Sequence, residues 1–237
     1  MKIKDSRILV TGGSSGIGKA AAVLLSQSGA KIAITGRDKD RLDKVAAETG
    51  ALAIHADVSD EKDIIRTFEI IKKELGGLDC LINNAGIGEF PDVENLTAEA
   101  FLKVYSVNVF GAALMAKHAA EIFKKQNYGN IINIASTAAL KGFARGTIYS
   151  SSKFALRGMT ECWQAELRPF NIRVMLVNPS EVTTAFANTE RKERQNVPNK
   201  LTGAEIAHTI KSILEMDDRG MIPEVTVWAT NPWDKKN

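Results

Sequence analysis

Cysteine is almost absent from this sequence, with Cys80 and Cys162 as the only two among 237 residues. The three histidines do not group with them in any metal-ligand spacing, so we expect no metal site. Cys80 lies in an apolar run and Cys162 in a helical pattern. We therefore expect both thiols to be small core or near-core groups.

Long hydrophobic runs and one-sided charge are missing as well. The N-terminus enters a strand pattern without the apolar core of a signal peptide, and no segment reaches the length of a membrane span. The formal net charge is only +3 and the basic residues are scattered, which argues against a nucleic-acid-binding face. These absences predict a cytoplasmic protein with neither a membrane nor a nucleic-acid partner.

The residues that are present follow the pattern of an α/β protein, with short apolar runs between longer segments of helical period. The runs lack strict polar alternation, which is typical of strands covered on both faces. The predicted strands are Arg7–Thr11, Lys31–Thr35, Ala51–Ala56, Leu78–Asn83, Asn130–Ala135, Ile172–Asn178 and Glu224–Trp228. The predicted helices are Gly16–Ser28, Lys39–Thr49, Glu61–Leu75, Ala98–Lys125, Tyr149–Arg168 and Gly203–Glu215.

This alternation predicts one Rossmann-type domain over residues 1–237. Its core is a doubly wound parallel sheet of about seven strands, with helices on both faces. The polar stretch 180–202 is too long for an ordinary connection in a compact domain. We interpret it as a substrate lid; a disordered tether is the alternative.

A glycine-rich turn follows the first strand and opens the first helix. Gly12 suits a tight turn, Gly16 allows close approach of a pyrophosphate, and Gly18 allows close helix–sheet packing. The helix N-terminus would favour the phosphate charge. Ser14, Ser15 and Ile17 complete this predicted cofactor cradle.

The spacing Gly12-x-x-x-Gly16-x-Gly18 after Thr11 resembles the motif of the classical short-chain dehydrogenase/reductase family. It differs from the commoner G-x-G-x-x-G pattern. The resemblance runs to about Leu214 and implies a nicotinamide cofactor and hydride transfer between a carbonyl and an alcohol.

The end of the second strand bears on the choice of cofactor. A carboxylate there would accept from the ribose 2′-hydroxyl of NAD. Here Gly36 leaves room and Arg37 offers a guanidinium suited to a 2′-phosphate. Asp38 is expected to cap the next helix. In the family this arrangement implies NADP, with possible help from Ser14.

Four residues match the family's catalytic tetrad in order, type and approximate spacing. Tyr149 and Lys153 stand at i and i+4 of a helix, Ser136 ends the fifth strand, and Asn108 lies in the long helix before it. By resemblance, Tyr149 is the general acid in reduction and Lys153 lowers its pKa and binds the nicotinamide ribose. Ser136 orients the substrate oxygen, and Asn108 holds a water of the proton relay.

Other matches implied by the resemblance extend the cofactor groove. Asp57 and Val58 would contact the adenine, and the backbone of Asn84-Ala85-Gly86 would pass close to the cofactor. The remaining matched positions are Pro179, Val182 and Thr184, although Ser180 replaces the usual glycine after the proline.

The substrate stays open at this point. A 3-oxoacyl thioester is the family's default, and a small 3-hydroxy acid or broad carbonyl substrate is close behind. Ala138–Gly146 and the lid should confer selectivity, with Phe143, Arg145 and Phe186 as candidate contacts. An NADP-sensing module without turnover is the alternative of another class, and a sugar-nucleotide epimerase is less compatible with the chain length and glycine spacing.

The resemblance also implies a homodimer or homotetramer. The helices Ala98–Lys125 and Tyr149–Arg168 would then pair with their symmetry mates. Their apolar residues exceed what one sheet face needs: Val109, Ala113, Ala116, Phe154, Met159 and Trp163.

Overall fold

The computed structural model describes residues 1–186, 194–195 and 197–233. Its strands are β1 (Arg7–Val10), β2 (Lys31–Gly36), β3 (Leu52–His55), β4 (Cys80–Asn83), β5 (Gly129–Ile134), β6 (Ile172–Pro179) and β7 (Glu224–Val227). Its α-helices are α1 (Gly16–Gln27), α2 (Lys39–Thr49), α3 (Glu61–Leu75), α4 (Ala98–Tyr105), α5 (Ala112–Gln126), α6 (Thr147–Leu167) and α7 (Gly203–Glu215).

Within the described residues the seven strands form one parallel sheet in the order β3-β2-β1-β4-β5-β6-β7. The chain starts at the sheet centre, winds outward to β3, and then crosses to β4 on the other side of β1. Ligands of open α/β sheets bind where the winding direction reverses, at the carboxyl ends of the strands. The predicted Rossmann-type α/β fold is confirmed, and its reversal point lies between β1 and β4.

Successive residues of each strand point to opposite faces of the sheet, and both faces are covered. In β1, Ile8 and Val10 pack into a cluster with α1 and α7. Leu9, between them, packs on the opposite face with α3 and α5. All eight residues of β6 are buried, which explains why the predicted strands lack polar alternation.

One predicted helix, Ala98–Lys125, is wrong as a continuous α-helix. It is divided into α4, a π-helical turn at Ser106–Gly111, and α5. A Cβ at Gly111 would lie 2.5 Å from the carbonyl oxygen of Val58, so the helix approaches the chain after β3 closely at its widened turn. A π turn inserts one residue into the helical repeat. Over a short window, the spacing of apolar residues does not distinguish such a turn from a continuous α-helix.

Smaller differences concern element ends. Helix α6 begins at Thr147, two residues before the predicted start, and the predicted strands differ from the observed ones by one or two residues. None of the helices in the described part of the chain combines the length and apolar character needed to cross a membrane.

The two cysteines differ in environment. Cys80 is buried in β4, as predicted, and burial raises the pKa of its thiol. Cys162 is exposed on α6, so the near-core prediction is wrong for that residue. It shares its helix face with Phe154 and Gly158, which precede it at intervals of four and are also exposed.

The predicted lid, 180–202, begins and ends close together. Val182 and Leu201 form an isolated parallel bridge, and the amide of Thr183 donates to the carbonyl oxygen of Leu201 at 2.8 Å. Residues 187–193 and 196 lie outside the described residues. A lid function for this segment stays a prediction.

Candidate active site

The predicted site residues come together because they follow the carboxyl ends of neighbouring parallel strands. The glycine turn follows β1, Asn84 follows β4, and Ser136 lies just beyond β5. Thr11 links two of these strand ends, since its hydroxyl oxygen accepts from the amides of Asn84 and Ala85, both at 3.0 Å. The crevice between β1 and β4 is therefore fixed by side-chain bonds as well as by the sheet.

Only glycine fits two of the positions in the turn after β1. Gly12 has a φ of +64°, and a Cβ there would lie 3.0 Å from the Cα of Ala85. A Cβ at Gly18 would lie 2.3 Å from the carbonyl oxygen of Gly12. The side-chain nitrogen of Asn84 donates to the carbonyl oxygens of Thr11 and Gly12, at 2.9 and 3.1 Å. Asn84 thus holds the turn with its side chain.

The N-terminus of α1 suits an anion. Ser15 is the N-cap residue, its hydroxyl makes no capping hydrogen bond, and the first turn carries no acidic residue. Ser14 lies beside Gly36 at the end of β2, where a Cβ on Gly36 would come 3.2 Å from the Ser14 hydroxyl oxygen. Ile17 faces inward against the core. Helix N-termini with free side chains of this kind favour phosphate groups.

The other side of this cradle is formed by the first residues of the predicted lid, 180–186, which we call the lid base. A Cβ on Gly16 would lie 3.1 Å from the Cβ of Thr184, so the Gly16 backbone lies close to the Thr184 side chain. Pro179 is buried at the end of β6, and Thr184 is buried as well. The structure therefore places Pro179, Val182 and Thr184 on the cradle side of the sheet edge, while their contacts to a cofactor stay a prediction.

Arg37 follows β2 with its guanidinium half-exposed. Nη1 of Arg37 lies 3.6 Å from an oxygen of Asp57, a separation typical of a weak surface ion pair. The predicted cap is confirmed: the Asp38 carboxylate accepts from the amide of Arg41 at 3.1 Å at the start of α2. Asp38 is thereby engaged within the protein. The predicted adenine contact Val58 has its side chain buried in the core.

Tyr149 and Lys153 lie on the buried face of α6. The ammonium nitrogen of Lys153 is 5.8 Å from the centre of the Tyr149 ring. It donates to the carbonyl oxygen of Ile134 at 2.9 Å, at the end of β5. This is its one hydrogen bond among the described residues, so two further ammonium hydrogens are available to a ligand. That donor capacity fits the hydroxyl groups of a ribose.

Ser136 lies opposite Tyr149 and caps the short 3₁₀ turn Thr137–Ala139. Its hydroxyl oxygen accepts from the amide of Ala138 at 3.1 Å, and its polar interaction with the Tyr149 hydroxyl lowers the pKa of that phenol. A carbonyl oxygen bound at this point would meet both hydroxyl groups.

Burial sets the protonation of the pair. It raises the pKa of Tyr149 to about 12, and the polar interaction with Ser136 offsets this in part. Burial lowers the pKa of Lys153 to about 8. The expectation that Lys153 lowers the pKa of Tyr149 is not met here, because desolvation outweighs any charge effect. At neutral pH Tyr149 is a protonated phenol, the form that donates a proton.

Asn108 is buried in the π-helical turn and all of its amide hydrogens are used. Its side-chain nitrogen donates to the carbonyl oxygen of Ile87 at 2.9 Å and to the hydroxyl of Ser152 at 3.0 Å. Its side-chain oxygen accepts from the amide of Ile87 at 2.9 Å. Asn108 therefore ties the irregular segment after β4 to α6, and the predicted water contact stays a prediction.

Ser152 and Phe90 are two site residues that the sequence analysis missed. Ser152 lies between Tyr149 and Lys153 and donates to the carbonyl oxygen of Tyr149 at 2.7 Å, and it links them to Asn108. Its position within Tyr-x-x-x-Lys was a usable signal. Phe90 contacts the Tyr149 ring, with centroids 5.5 Å apart, but it follows β4 in an irregular segment that carries no periodic signal.

Two predicted substrate contacts lie at this site. Phe186 is 5.3 Å from the Tyr149 ring, and Phe143 is 6.2 Å from Phe90, by ring centroids. Gly86 is adjacent to the catalytic side, since a Cβ there would lie 3.6 Å from the Lys153 nitrogen. Among the described residues, no group of three or more histidine, cysteine, aspartate or glutamate side chains could hold a metal ion.

The predicted surplus of apolar surface on α5 and α6 is only partly correct. Val109 and Ala116 are buried within the protomer, and Ala113, Met159 and Trp163 are partly buried. Phe154 is exposed. Leu102 and Phe110, which the sequence analysis did not single out, are 61% and 52% exposed.

Comparison with known proteins agrees with this geometry. The family model for short chain dehydrogenase matches residues 6–195. An uncharacterized oxidoreductase of Thermotoga maritima is 35% identical over 224 residues, which cover 86% of this chain and 87% of the relative.

Two solved structures share the whole fold. One is an alcohol dehydrogenase from the archaeon Thermococcus sibiricus complexed with 5-hydroxy-NADP (25% identity, TM-score 0.88, 99% of this chain and 100% of that one). The other is a 3-ketoacyl-(acyl-carrier-protein) reductase from Brucella melitensis complexed with NADH (29% identity, TM-score 0.88, 98% and 100%).

Proposed function

The chain belongs to the short-chain dehydrogenase family of oxidoreductases, and we propose that it reduces a carbonyl group with NADPH. The observation that carries the proposal is the buried Tyr149 phenol, which faces Ser136 and lies beside the buried ammonium of Lys153, 5.8 Å from the ring centre. A neutral phenol with a raised pKa is a proton donor at neutral pH.

The mechanism assigns a separate task to each side chain. The nicotinamide, when bound, supplies the hydride. Ser136 and Tyr149 would hold the substrate oxygen by two hydrogen bonds, and Tyr149 would donate its proton as negative charge develops there. Lys153 would bind the ribose through its two available hydrogens and stabilise the tyrosinate that is left. Asn108 holds α6 against the irregular segment that follows β4.

Tyr149→Phe tests this assignment, with Tyr105→Phe as the matched control outside the site. Loss of the Tyr149 hydroxyl should lower kcat by about a hundredfold or more, while NADPH affinity changes little because the cradle is untouched. The readouts are NADPH consumption on a carbonyl panel and NADPH binding by fluorescence titration. Full turnover by Tyr149→Phe would contradict the mechanism, and NADPH binding without turnover of any carbonyl would favour the alternative of a non-catalytic NADP sensor.

The preference for NADP over NAD is supported by two charged groups. Asp38 is engaged as the cap of α2, and the Arg37 guanidinium is half-exposed with only a 3.6 Å ion pair to Asp57. A 2′-phosphate would gain the bidentate partner that Arg37 offers. We expect NADPH to bind at least about tenfold more tightly than NADH, a difference of about 1.4 kcal/mol.

Arg37→Ala should remove that preference. Lys39→Ala is the charge control, because it deletes a cation two residues away that is paired with Asp43. Fluorescence titration with both cofactors measures the ratio. Equal affinities in the unmodified protein, or equal losses in the two variants, would refute the role of Arg37.

Two substrate classes have specific support. The likeness to the Brucella reductase supports a 3-oxoacyl thioester, the first prediction from the sequence. The phenylalanine rings at Tyr149 support a broader carbonyl reductase. A panel of 3-oxoacyl thioesters, small oxo acids and hydrophobic ketones distinguishes them. We also propose a homodimer or homotetramer through the exposed Leu102, Phe110 and Phe154, which light scattering tests.

A further inference from the structure

Three phenylalanine rings from separate loops gather around Tyr149. Phe90 comes from the chain after β4, Phe143 from the turn before α6, and Phe186 from the lid base. Phe90 and Phe186 lie on the Tyr149 ring with centroids 5.5 and 5.3 Å away, and Phe143 extends the group from Phe90 at 6.2 Å. We call Phe90, Phe143 and Phe186 the aromatic wall.

Glycines allow the wall to close around the catalytic side chain. The tips of the Phe90 and Phe186 rings converge at Gly88, where a Cβ would lie 2.7 Å from one and 3.2 Å from the other. At Gly146 a Cβ would lie 2.9 Å from the Phe143 ring. Any side chain at position 88 would push the two rings apart, so the approach of Phe90 and Phe186 to Tyr149 depends on glycine at this position.

The charged side chains next to the wall are already paired. The Arg145 guanidinium lies 3.5 Å from a carboxylate oxygen of Asp92. The Lys103 ammonium lies 2.6 Å from a carboxylate oxygen of Glu89. A substrate carboxylate placed on the aromatic wall would therefore lose water and would have to compete with Asp92 and Glu89 for these two cations, which is unfavourable.

An uncharged apolar ring would avoid the cost of desolvating a charge and would gain contacts with the phenylalanine rings. Aromatic rings prefer offset or edge-to-face contacts at centroid separations of about 4.5–7 Å, and the wall already uses that range. Phe143 is 51% exposed, so the outer end of the wall has apolar surface that a ligand would cover.

We infer that the aromatic wall selects carbonyl compounds with an uncharged aromatic or alicyclic ring next to the C=O group. The inference rests on the proposed carbonyl reduction at Tyr149 and names its substrate class. The ring would pack on Phe90 and Phe186 while the carbonyl oxygen meets Tyr149 and Ser136.

The test compares kcat/KM with NADPH for acetophenone, acetoacetate and acetoacetyl-CoA. We expect acetophenone to exceed acetoacetate and acetoacetyl-CoA by at least about tenfold. Phe90→Leu and Phe186→Leu keep an apolar side chain but remove the ring, and each should cost about tenfold on acetophenone, mostly in KM. The loss on 2-butanone, which has no ring, should be at least about threefold smaller than the loss on acetophenone.

Phe170→Leu is the matched control, since Phe170 contacts Lys124 beyond the end of α6. Phe143→Leu changes an exposed residue and keeps the test usable if a variant at the partly buried Phe90 or Phe186 folds poorly. The inference is overturned if acetoacetate or acetoacetyl-CoA is the better substrate, or if the wall variants lose equally on acetophenone and 2-butanone. Failure to reduce any carbonyl would instead refute the proposed function.

Discussion

Lys153→Met is expected to make the protein more stable and catalytically inactive. Burial lowers the pKa of Lys153 from its ordinary 10.5 to about 8, and a displacement of that size corresponds to about 3 kcal/mol at 1.4 kcal/mol per pH unit. At neutral pH this is the cost of keeping the ammonium charged inside the fold. Methionine fills a similar volume without charge.

The gain will be smaller than the full cost. Replacing Lys153 leaves the carbonyl oxygen of Ile134, its partner at 2.9 Å, without a donor, which costs about 1–3 kcal/mol when buried. We therefore expect a net increase in unfolding free energy of up to about 2 kcal/mol at neutral pH. At about 2–4 °C for each kcal/mol in a chain of this length, that raises Tm by up to about 8 °C.

The pH dependence gives the stricter test. Because the folded-state pKa lies below the unfolded value, the unfolded state binds more protons between about pH 8 and 10.5, and stability should rise with pH across that window. Lys153→Met should abolish this rise, whereas Lys117→Met, at an exposed lysine of α5, should keep it. Urea titrations at several pH values measure both. A Lys153→Met protein that is no more stable at neutral pH, or that keeps the rise, would refute the reasoning.

Two further predictions concern the cradle and the phenol. Gly18→Ala should abolish NADPH binding, because its Cβ would lie 2.3 Å from the Gly12 carbonyl oxygen. The control Gly158→Ala, whose Cβ would have nothing within 4 Å in α6, should bind NADPH normally and raise the free energy of unfolding by about 0.5–1 kcal/mol. Normal NADPH binding by Gly18→Ala in fluorescence titration would contradict this. Alcohol oxidation needs the tyrosinate, and burial raises the pKa of Tyr149 to about 12. The initial rate of NADP reduction should therefore still increase with pH at about pH 10. A rate that levels off below about pH 9 would contradict this, because the tyrosine would then ionise more easily in the working enzyme.

The parts of the site that could be predicted from the sequence lie within a few residues of a strand end. Ser136 follows β5 and the glycine turn follows β1, so the parallel sheet alone brings them to one edge. Tyr149 and Lys153 share a helix face because of their spacing. These residues lie in or directly beside a strand or helix along the chain, so the position of that element fixes theirs. The sequence pattern that predicts the element is therefore sufficient to predict where they lie.

The parts that could not be predicted depend on packing between distant segments. The π-helical turn at Ser106–Gly111 arises where Gly111 meets the backbone of Val58 and Asn108 bonds to Ile87. Neither contact leaves a periodic signal. Phe90 was missed for the same reason, because its contact with Tyr149 depends on the path of an irregular loop. The pKa of Tyr149 was expected to fall because a lysine is near, but the degree of burial is a property of the folded chain.

Burial at Tyr149 and Lys153 connects the chemistry of the site to its substrate. The phenylalanine rings that exclude water from Tyr149 raise its pKa, so the phenol stays protonated and its proton is present for transfer to a developing alkoxide. The same exclusion of water makes the Lys153 ammonium costly and therefore responsive to any ligand that supplies acceptors for its two available hydrogens. A ribose hydroxyl would do so, and its arrival would favour the charged ammonium beside the phenol. Cofactor binding is thus expected to raise the pKa of Lys153, so that the tyrosinate left by proton donation is best stabilised when the hydride donor is in place.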